Sequence, residues 1–370
     1  MITVNDIIKT IETLAPKHYA ESWDNVGLMV GTVGGIVNKV ITTLDITPEV
    51  IDFAIHEKAQ LIISHHPFIF KGLKSINLDS VQGSMIERLI KHNIAVYSAH
   101  TNLDIADGGL NDMLARRLGL QDIRGFVPLG SDMMYKITTF VPESSADAVR
   151  SAMAEAGAGR IGNYDCCSFS YVGEGRFKGN ANANPTIGNI GTLEVVQEVS
   201  VQVIVEEKML SQVLMAMKEV HPYEEVAYDV VALAEPRCGR TLGRVGILPE
   251  AMDVDVFCDY VQECLPHSQL RFGGVKKELI KTIALCSGAG ASFLKQATVA
   301  DAYITGDVKY HDAQLAKELG VFIVDAGHFG TEEIVADGLA QYLLEQAELQ
   351  AWNIQILPFH EQEDFFFTVP

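Results

Sequence analysis

Histidine and carboxylate side chains recur at matching positions in three distant segments of this chain. Two segments place a carboxylate four residues after a histidine, and a third ends in two adjacent histidines. The residues concerned are His65, His66, His100, Asp104, His328 and Glu332. Imidazole and carboxylate groups are protein ligands that suit zinc, iron and manganese. The pattern therefore predicts a metal site to which separate parts of the chain contribute.

Each of these segments follows an apolar run that is typical of a buried strand, namely residues 61–64, 94–98 and 321–325. In open α/β sheets, ligands bind beyond the carboxyl ends of the strands, so the metal site is expected at that edge. Adjacent histidines at a strand end point to opposite sides, and His65 and His66 therefore favour two neighbouring metal ions. The simpler alternative is that one imidazole only hydrogen-bonds the backbone.

Two histidines are candidates for moving protons. His100 is interpreted as a proton shuttle or as a partner that orients a metal ligand, although it could also bind metal itself. His311 follows Asp307 by four residues, just after a predicted strand. This pair could act as a general acid and base or bind substrate, and the alternative is a helix-capping aspartate with a surface histidine. Glu332 is predicted to open a helix that continues to residue 346, where a carboxylate in the first turn is common.

The elements that must position these side chains fall into two series on either side of a different central segment. Residues 1–129 and 236–370 alternate strands and helices, and residues 61–66 align with residues 302–307. This similarity predicts a three-layer α/β core with pseudo-duplicated halves, in which a metal site receives ligands from both halves. Residues 130–235 instead show a βαββαβ order, which is ferredoxin-like. They are predicted to form an inserted α+β domain.

Composition and charge limit the classes of partner. The chain has 370 residues and a net charge of −20, from 28 basic and 48 acidic residues, without a cluster of five Lys or Arg. Nucleic acid is therefore not expected as a main partner, whereas a nucleotide held through metal ions is compatible with this charge. No apolar run approaches the roughly 20 residues that span a bilayer. No signal-peptide pattern and no C-x-x-C pair is seen, which predicts a cytoplasmic protein with reduced thiols.

Three other motifs have less specific interpretations. Trp23 lies in a polar loop and could form a wall of the metal site, or it could be a packed tryptophan beside a turn. Residues 287–292 are rich in Gly, Ala and Ser and lead from a strand into a helix, a geometry that can bind an anion, but they lack the P-loop lysine. Residues 221–225, His-Pro-Tyr-Glu-Glu, lie within the predicted insert. They are interpreted as a helix-to-strand turn or as part of an interface.

Five motifs together carry a resemblance to a known family. They are Glu21–Leu28, Ile63–Pro67, His100–Asp104, Thr305–Asp312 and Gly327–Glu332. In sequence and order they resemble the Nif-three-like family, also called type 2 homologues of GTP cyclohydrolase I. The insert resembles the PII- and CutA-like domain of the longer bacterial members.

By this resemblance, five residues are implied to hold two divalent metal ions per chain, with zinc first and iron or manganese as alternatives. The implied ligands are His65, His66, Asp104, His328 and Glu332. The resemblance also implies a homo-oligomer, a ring of six chains.

The expected function is that of a dinuclear-metal-dependent hydrolase acting on GTP or another nucleotide. The expected assignment is His65 and Asp104 on one ion, His66 and His328 on the other, and Glu332 between them. His100 or His311 would move protons. The alternative is a metal-containing regulatory or scaffold protein that senses a small molecule through the inserted domain. Structural metal sites are closed and catalytic sites keep an open position, and five ligands for two ions favour the hydrolase.

Overall fold

The chain is a mixed α/β protein with several sheets. The structure, a computed structural model, describes residues 1–131, 133–161, 164–234 and 239–367. The chain divides into two compact units, the first formed by Met1–Leu129 and Arg240–Pro370 and the second by Gly130–Gly239. Across these described ranges, no helix combines the length and the apolar character needed to cross a membrane.

The described strands and helices are numbered in chain order. The strands are β1 (Gly27–Val30), β2 (Lys39–Thr43), β3 (Leu61–Ser64), β4 (Ala95–Ser98), β5 (Gln121–Ser131), β6 (Met134–Pro142), β7 (Ser168–Phe177), β8 (Glu194–Glu206), β9 (Tyr228–Ala232), β10 (Gly239–Asp253), β11 (Arg271–Gly274), β12 (Leu279–Leu285), β13 (Ala302–Thr305), β14 (Phe322–Asp325) and β15 (Gln355–Pro358). The α-helices are α1 (Val4–Leu14), α2 (Pro48–His56), α3 (Val81–Lys91), α4 (Thr101–Ile105), α5 (Leu110–Arg117), α6 (Glu143–Glu155), α7 (Glu207–Val220), α8 (Val254–Cys264), α9 (Tyr310–Leu319), α10 (His328–Glu332) and α11 (Val335–Leu349). Short 3₁₀ turns occur at Lys17–Tyr19, Ala291–Phe293 and Gln296–Val299.

The first sheet of the first unit has the order β1-β4-β3-β2-β15. Its strands β15, β2, β3 and β4 are parallel, and β1 pairs antiparallel with β4 at the edge. Helices cover both faces, since Ile41 and Ile62 pack with residues of α2 and α3, while Val40 and Ile63 pack with α1 and α11. This burial explains why the strands are continuous apolar runs rather than alternating ones. Parallel pairing brings the ends of β2, β3 and β4 to one edge.

The second sheet of the first unit has the order β11-β14-β13-β12-β10-β5. Strands β12, β13 and β14 are parallel, and β11 pairs antiparallel with β14. Each of the two sheets thus contains three consecutive parallel strands whose last member borders an antiparallel edge strand. A short helix follows soon after that last parallel strand in both sheets, α4 after β4 and α10 after β14.

The helix predicted over residues 332–346 differs in the structure. Glu332 is the last residue of α10, and a separate helix, α11, begins at Val335. The carboxylate of Glu332 therefore does not lie in the first turn of the long helix, and stabilisation by the helix dipole does not explain it. Because α10 ends at Glu332, His328 and Glu332 lie one turn apart on a short helix of their own. His328 contacts Asp307, which follows β13, and Glu332 contacts His66, which follows β3.

The second unit is a four-stranded antiparallel sheet with two helices. Its elements follow the order β6, α6, β7, β8, α7, β9, and the sheet order is β7-β8-β6-β9. Buried valines on β8 pack with Val149 and Met153 of α6 and with Val213 and Met217 of α7. The two helices therefore cover one face of the sheet.

Candidate metal centre

The chain segments that follow β3, β4 and β14 bring six side chains together in the first unit. They are His65, His66, His100, Asp104, His328 and Glu332. The ligand atoms of His65, His66 and His100 lie within 4.8 Å of one another, and so do those of His66, His328 and Glu332. In two of these segments a histidine follows the strand and a carboxylate lies one helical turn later, in α4 and α10. This shared spacing brings both segments to the same site.

Glu332 lies at the centre of this cluster and is only 3% exposed. Its Oε2 is 2.9 Å from Nε2 of His66 and 3.1 Å from Nε2 of His328. Its Oε1 is 4.0 Å from Nε2 of His65, which in turn is 3.6 Å from Oδ1 of Asp104. The two oxygens of Glu332 thus face different histidines.

The side chain of His65 gives the clearest evidence that this site fits a cation. Its side chain is fully buried, and Nδ1 donates a hydrogen bond of 2.9 Å to the carbonyl of Ala99. A carbonyl only accepts, so the proton is on Nδ1 and Nε2 presents a lone pair. That Nε2 is buried and has no hydrogen-bond partner among the described residues. Burial lowers the pKa of His65 to about 3, so the ring is neutral at physiological pH and suited to bind a metal ion.

Acidic neighbours raise the pKa values of His66 and His328. Burial opposes protonation of His66, but hydrogen bonds from its two nitrogens to Asp45 and Glu332 raise its pKa to about 10. Hydrogen bonds to Glu332 and then to Asp307 raise the pKa of His328 to about 9. On each ring, the proton on Nε2 lies between the histidine and Glu332, where positive charge is needed to balance the carboxylate. A bound cation would meet the same need.

The pKa values of the two buried carboxylates, Asp104 and Glu332, are shifted in opposite directions. Burial and the neighbouring charge of Glu332 raise the pKa of Asp104 to about 7. Burial opposes ionisation of Glu332 as well, but hydrogen bonds from His328 and His66 hold its pKa well below the usual range. Two carboxylates in one buried place repel each other unless positive charge is added. The neutral imidazole of His65 and the two carboxylates beside it therefore fit divalent metal ions.

Three aspartates orient the histidines, and the sequence-based predictions did not assign this role to any of them. Asp45 accepts from Nδ1 of His66 at 2.8 Å, and Asp307 accepts from Nδ1 of His328 at 2.8 Å. Hydrogen bonds of this kind fix the tautomer and the direction of a metal-binding imidazole. Asp45 could have been found, because it follows β2, and β2 is the parallel neighbour of β3.

His100 has the third orienting aspartate. Its Nδ1 is 2.9 Å from Oδ1 of Asp24, whose other oxygen accepts from the hydroxyl and backbone N–H of Thr101. Burial opposes ionisation of Asp24, but the hydrogen bonds from His100 and Thr101 lower its pKa to about 2. With Nδ1 engaged in this way, Nε2 of His100 is left to face the cluster, where its ring lies 5.2 Å from that of His65.

The loop at residues 287–292, considered as an anion site, instead supports the carboxylates. The N–H groups of Gly288 and Gly290 donate to the hydroxyls of Thr331 and Thr305, so they are used within the protein. Gly288 has φ +58°, and a Cβ atom there would lie 2.4 Å from Oε1 of Glu332. Glycine at this position thus allows the backbone to approach the central carboxylate. Ser287 donates a 3.4 Å hydrogen bond to Asp104.

His311 lies apart from these contacts. It is exposed in the first turn of α9, and its ring makes an edge contact with Tyr310 at 5.4 Å. Asp307, its expected partner, hydrogen-bonds His328 instead. A role for His311 therefore stays a prediction.

Four histidines and two carboxylates at strand ends of a mixed α/β fold define the class: a protein with a candidate metal centre. The chain belongs to the Duf34/NIF3 (NGG1p interacting factor 3) family, whose model matches residues 2–364. This confirms the resemblance inferred from the five motifs.

Curated relatives and solved structures agree with this family. A Bacillus subtilis protein named GTP cyclohydrolase 1 type 2 homolog is 40% identical, covering 95% of this chain and 94% of the relative. A Mycobacterium tuberculosis protein of the same name is 36% identical, over 90% and 88% of the two chains. The crystal structure of a Bacillus cereus protein related to NIF3 matches with a TM-score of 0.85 and 39% identity, covering 100% of this chain and 99% of the other. A Staphylococcus aureus structure matches with a TM-score of 0.82 and 30% identity, with coverage of 100% and 99%.

Proposed function

We propose that this protein is a hydrolase that depends on two divalent metal ions, zinc first, with iron or manganese as alternatives. The observation that carries the proposal is the buried, unprotonated and unpartnered Nε2 of His65, which faces two carboxylates. A lone pair and two negative groups, all removed from water, are unfavourable together unless a cation joins them.

The distances favour a particular assignment of ligands. His65 and Asp104 would hold one ion, and His66 and His328 the other. Glu332 would serve both, because its Oε1 faces His65 while its Oε2 lies near both His66 and His328. The exposed fraction is 25% for the His66 side chain and 40% for that of His328, against 0% for His65. Substrate would therefore reach the cluster from the side of His66 and His328.

When bound, the ions would supply Lewis acidity and lower the pKa of water at the site. The protein's own part is to hold and move protons. Asp24 fixes the His100 ring through Nδ1, so Nε2 of His100 can accept a proton from the reacting group and return it to the leaving group. His311, exposed at the start of α9, is kept as a second proposed proton carrier.

A nucleotide is the proposed substrate, with GTP as the first compound to test. The curated relatives carry the name GTP cyclohydrolase 1 type 2 homolog. The ring of Trp23 is 59% exposed, and its centroid lies 6.1 Å from the rings of both His100 and Phe70. An exposed aromatic surface beside the cluster can stack on a planar base.

Glu332→Gln, with Glu333→Gln as its matched control, tests the hydrolase. Metal-loaded protein is incubated with GTP and other nucleotides, and products are separated by chromatography. We expect turnover to disappear with Glu332→Gln and with chelation, because an amide supplies neither the charge nor the bridging oxygens. Glu333 lies one residue further on and pairs with His267 at 4.0 Å, so its variant should keep the activity. Turnover that survives both treatments would remove the cluster from the chemistry.

We further propose a finer description of the architecture. The shared pattern of three parallel strands and one antiparallel edge strand supports pseudo-duplicated halves in the first unit. The βαββαβ order and the sheet order β7-β8-β6-β9 support a ferredoxin-like, PII/CutA-like insert over residues 130–235. Replacing that range by a short Gly/Ser linker should leave two metal ions bound per chain. A linker variant that folds but binds no metal would show that the insert is part of the metal-binding core.

The assembly and compartment are proposed on the family resemblance and on the cysteines. We propose a ring of six chains, for which light scattering should give six times the chain mass of 40.4 kDa. The cysteines of the described ranges are all free thiols, which favours the cytoplasm. A monomeric mass at micromolar concentration would contradict the ring.

A second function is favoured by one observation in the second unit. That unit contains a cavity of about 530 Å³, which is within the size range of small-molecule sites. A regulatory protein that senses a small molecule through this unit is therefore the alternative proposal. It predicts that a ligand of the second unit changes metal-dependent turnover, which steady-state assays with and without the ligand would detect.

A further inference from the structure

The cavity of the second unit lies on the sheet face that the helices leave open. Tyr171, Gly173 and Gly175 of β7 line it, and they pair with Ser200, Glu198 and Val196 of β8. The valines that alternate with Ser200, namely Val199 and Val201, belong instead to the core under α6 and α7. The cavity therefore has a rigid floor of two paired strands.

Two glycines create the room in this floor. A Cβ atom at Gly175 would lie 2.1 Å from Oε2 of Glu198, so the Glu198 carboxylate lies across the bare backbone of Gly175. A Cβ atom at Gly173 would meet nothing within 4 Å. Neither glycine is among the residues with positive φ, so backbone conformation does not require glycine at either position. What their missing side chains provide is space above the strand.

The last three residues of the motif His221-Pro-Tyr-Glu-Glu225 line the cavity, and Tyr223 is the aromatic one. His221 is buried, and its Nε2 donates to the carbonyl of Phe140 at 3.0 Å, which fixes the turn to β6. The Tyr223 ring lies 6.2 Å from Phe177, and its hydroxyl donates to Oε1 of Glu198 at 2.8 Å. Burial and the Glu198 carboxylate raise the pKa of Tyr223, so the hydroxyl stays a donor.

The loop between β7 and β8 is tied to the same turn. The backbone N–H of Asn184 donates to Glu224, and the hydroxyl of Thr186 donates to the carbonyl of Pro222, both at 2.8 Å. These bonds fix the loop, whose Ala183, Pro185, Thr186 and Ile187 also line the cavity. A cavity that is already shaped in this way loses little conformational entropy when a ligand binds.

The charged groups that line the cavity are mainly acidic. The hydroxyl of Ser200, in a residue only 2% exposed, lines the cavity and has no hydrogen-bond partner among the described residues. Acidic residues that line the cavity outnumber basic ones four to two, and one of the basic residues, Arg176, is bonded to Glu174. Glu198 is the carboxylate that reaches the floor. An anionic ligand would be repelled here, whereas a cationic or N–H-donating ligand would be attracted.

We infer that this cavity binds a small aromatic molecule carrying an amino group, with Glu198 accepting from the amine, Ser200 bonding to a polar edge, and the ring lying against Tyr223 and Phe177. The inference rests on the second proposed function, the small-molecule sensor. Binding is measured directly, so its outcome is separate from that of any turnover assay. Binding without an effect on turnover would leave the site assigned and remove only its sensing role.

Tryptamine tests the inference, with indole-3-propionate as a probe of similar size and opposite charge. Both are titrated into the full chain by isothermal calorimetry, and saturation-transfer NMR identifies the bound ring protons. We expect saturable binding of tryptamine and none of indole-3-propionate. Equal binding of the two, or no saturable binding of tryptamine, would overturn the inference.

Two pairs of variants locate the binding. Gly173→Leu fills the open space and should abolish tryptamine binding, while Val172→Leu on the same strand, 67% exposed, should leave it unchanged. Glu198→Gln keeps the bond from Tyr223 but removes the charge, and should weaken binding about tenfold or more. Glu219→Gln on the exposed side of α7 is its control. Circular dichroism and thermal melting show that each variant is folded.

A second copy of the chain is the other conceivable occupant of this face. Light scattering on Gly173→Leu distinguishes the two cases, because filling an interface changes the mass of the assembly. Failure of tryptamine to bind the unaltered protein, together with a changed mass for Gly173→Leu, would assign the cavity to contacts between copies and overturn the small-molecule site. An unchanged mass with lost tryptamine binding is the expected result.

Discussion

The two recesses of this molecule are built in opposite ways. The candidate metal centre of the first unit gathers charged side chains from segments that are distant in sequence, as His66 and Glu332 show with a separation of 266 residues. The cavity of the second unit obtains its space from missing side chains at Gly173 and Gly175, within one pair of strands. Like charges repel one another, so they are held together only by contacts between distant segments of the fold. The cavity needs only local backbone and aromatic side chains.

The residues that support the candidate metal centre include a buried charged side chain, Arg244. Arg244 on β10 is 2% exposed and donates to Asp112 at 2.8 Å and to the carbonyl of Ala106 at 2.9 Å. These bonds hold the corner between α4, which carries Asp104, and α5. The arginines described in the second unit have no such role; Arg160, for example, has a side chain 72% exposed and pairs with Asp165 at 3.5 Å.

Removing the two arginines should give the largest difference between the units. Arg244→Leu leaves Asp112 without its cation and should cost about 3–5 kcal/mol in the free energy of unfolding. Arg160→Leu should change that free energy by no more than about 0.5 kcal/mol. Hydrogen–deuterium exchange in increasing urea reports each unit separately and measures both values. Equal effects of the two substitutions would show that the buried arginine does not support the candidate metal centre.

Replacing single histidines should distinguish the two proposed metal positions of the cluster. His66→Ala or His328→Ala is expected to lose close to one of two metal equivalents per chain, because each contacts Glu332 through Nε2. His311→Ala, altered on the exposed side of α9, should keep both. Metal analysis by mass spectrometry after anaerobic purification gives the counts. Full metal content in His66→Ala and His328→Ala would refute the ligand assignment.

A matched pair of glycines tests whether metal binding depends on the close approach of the backbone to Glu332 or on the positive φ alone. Gly288→Ala places a methyl group 2.4 Å from the Glu332 carboxylate at a φ of +58°, and should weaken metal binding by about 10- to 100-fold. Gly191→Ala in the second unit has a φ of +78° and nothing within 4 Å, so it should affect metal binding not at all. Competition with a chelator measures the affinities. Wild-type affinity in Gly288→Ala would mean that Glu332 can move freely.

The smallest predicted effect is the number of protons that the protein releases when it binds metal. In the metal-free protein the pKa of His66 is raised to about 10 and that of His328 to about 9, so both are protonated at pH 7. Metal needs the neutral rings, so binding should release about two protons and tighten as pH rises toward these pKa values. Calorimetry in buffers of different ionisation enthalpy counts the protons. His66→Ala should release about one proton fewer, and a count unaffected by that change would contradict the raised pKa.

The sequence predicted the histidines and carboxylates of the cluster, but it did not predict the aspartates that orient these histidines. Histidines at the ends of apolar runs can be recognised because strand ends of one parallel sheet share an edge. By sequence, Asp24 and Asp45 are ordinary turn residues and Asp307 is paired with His311. The structure shows instead that each of the three aspartates lies 2.8–2.9 Å from the imidazole of a cluster histidine. The break between α10 and α11 was missed because the residues around Glu333 carry no Pro and form a continuous helical pattern.

The sequence by itself determined the residue types of the candidate metal centre, the alternation of strands and helices in the outer segments, and the family. These follow from side-chain chemistry and hydrophobic period, which are local properties. Only the tertiary structure decided that Nε2 of His65 is buried without a partner among the described residues, that Gly288 lies against Glu332, and that Tyr223, Glu224 and Glu225 line a cavity. Each of these depends on which distant segments pack together, and packing sets the burial and the charge environment that local sequence does not contain.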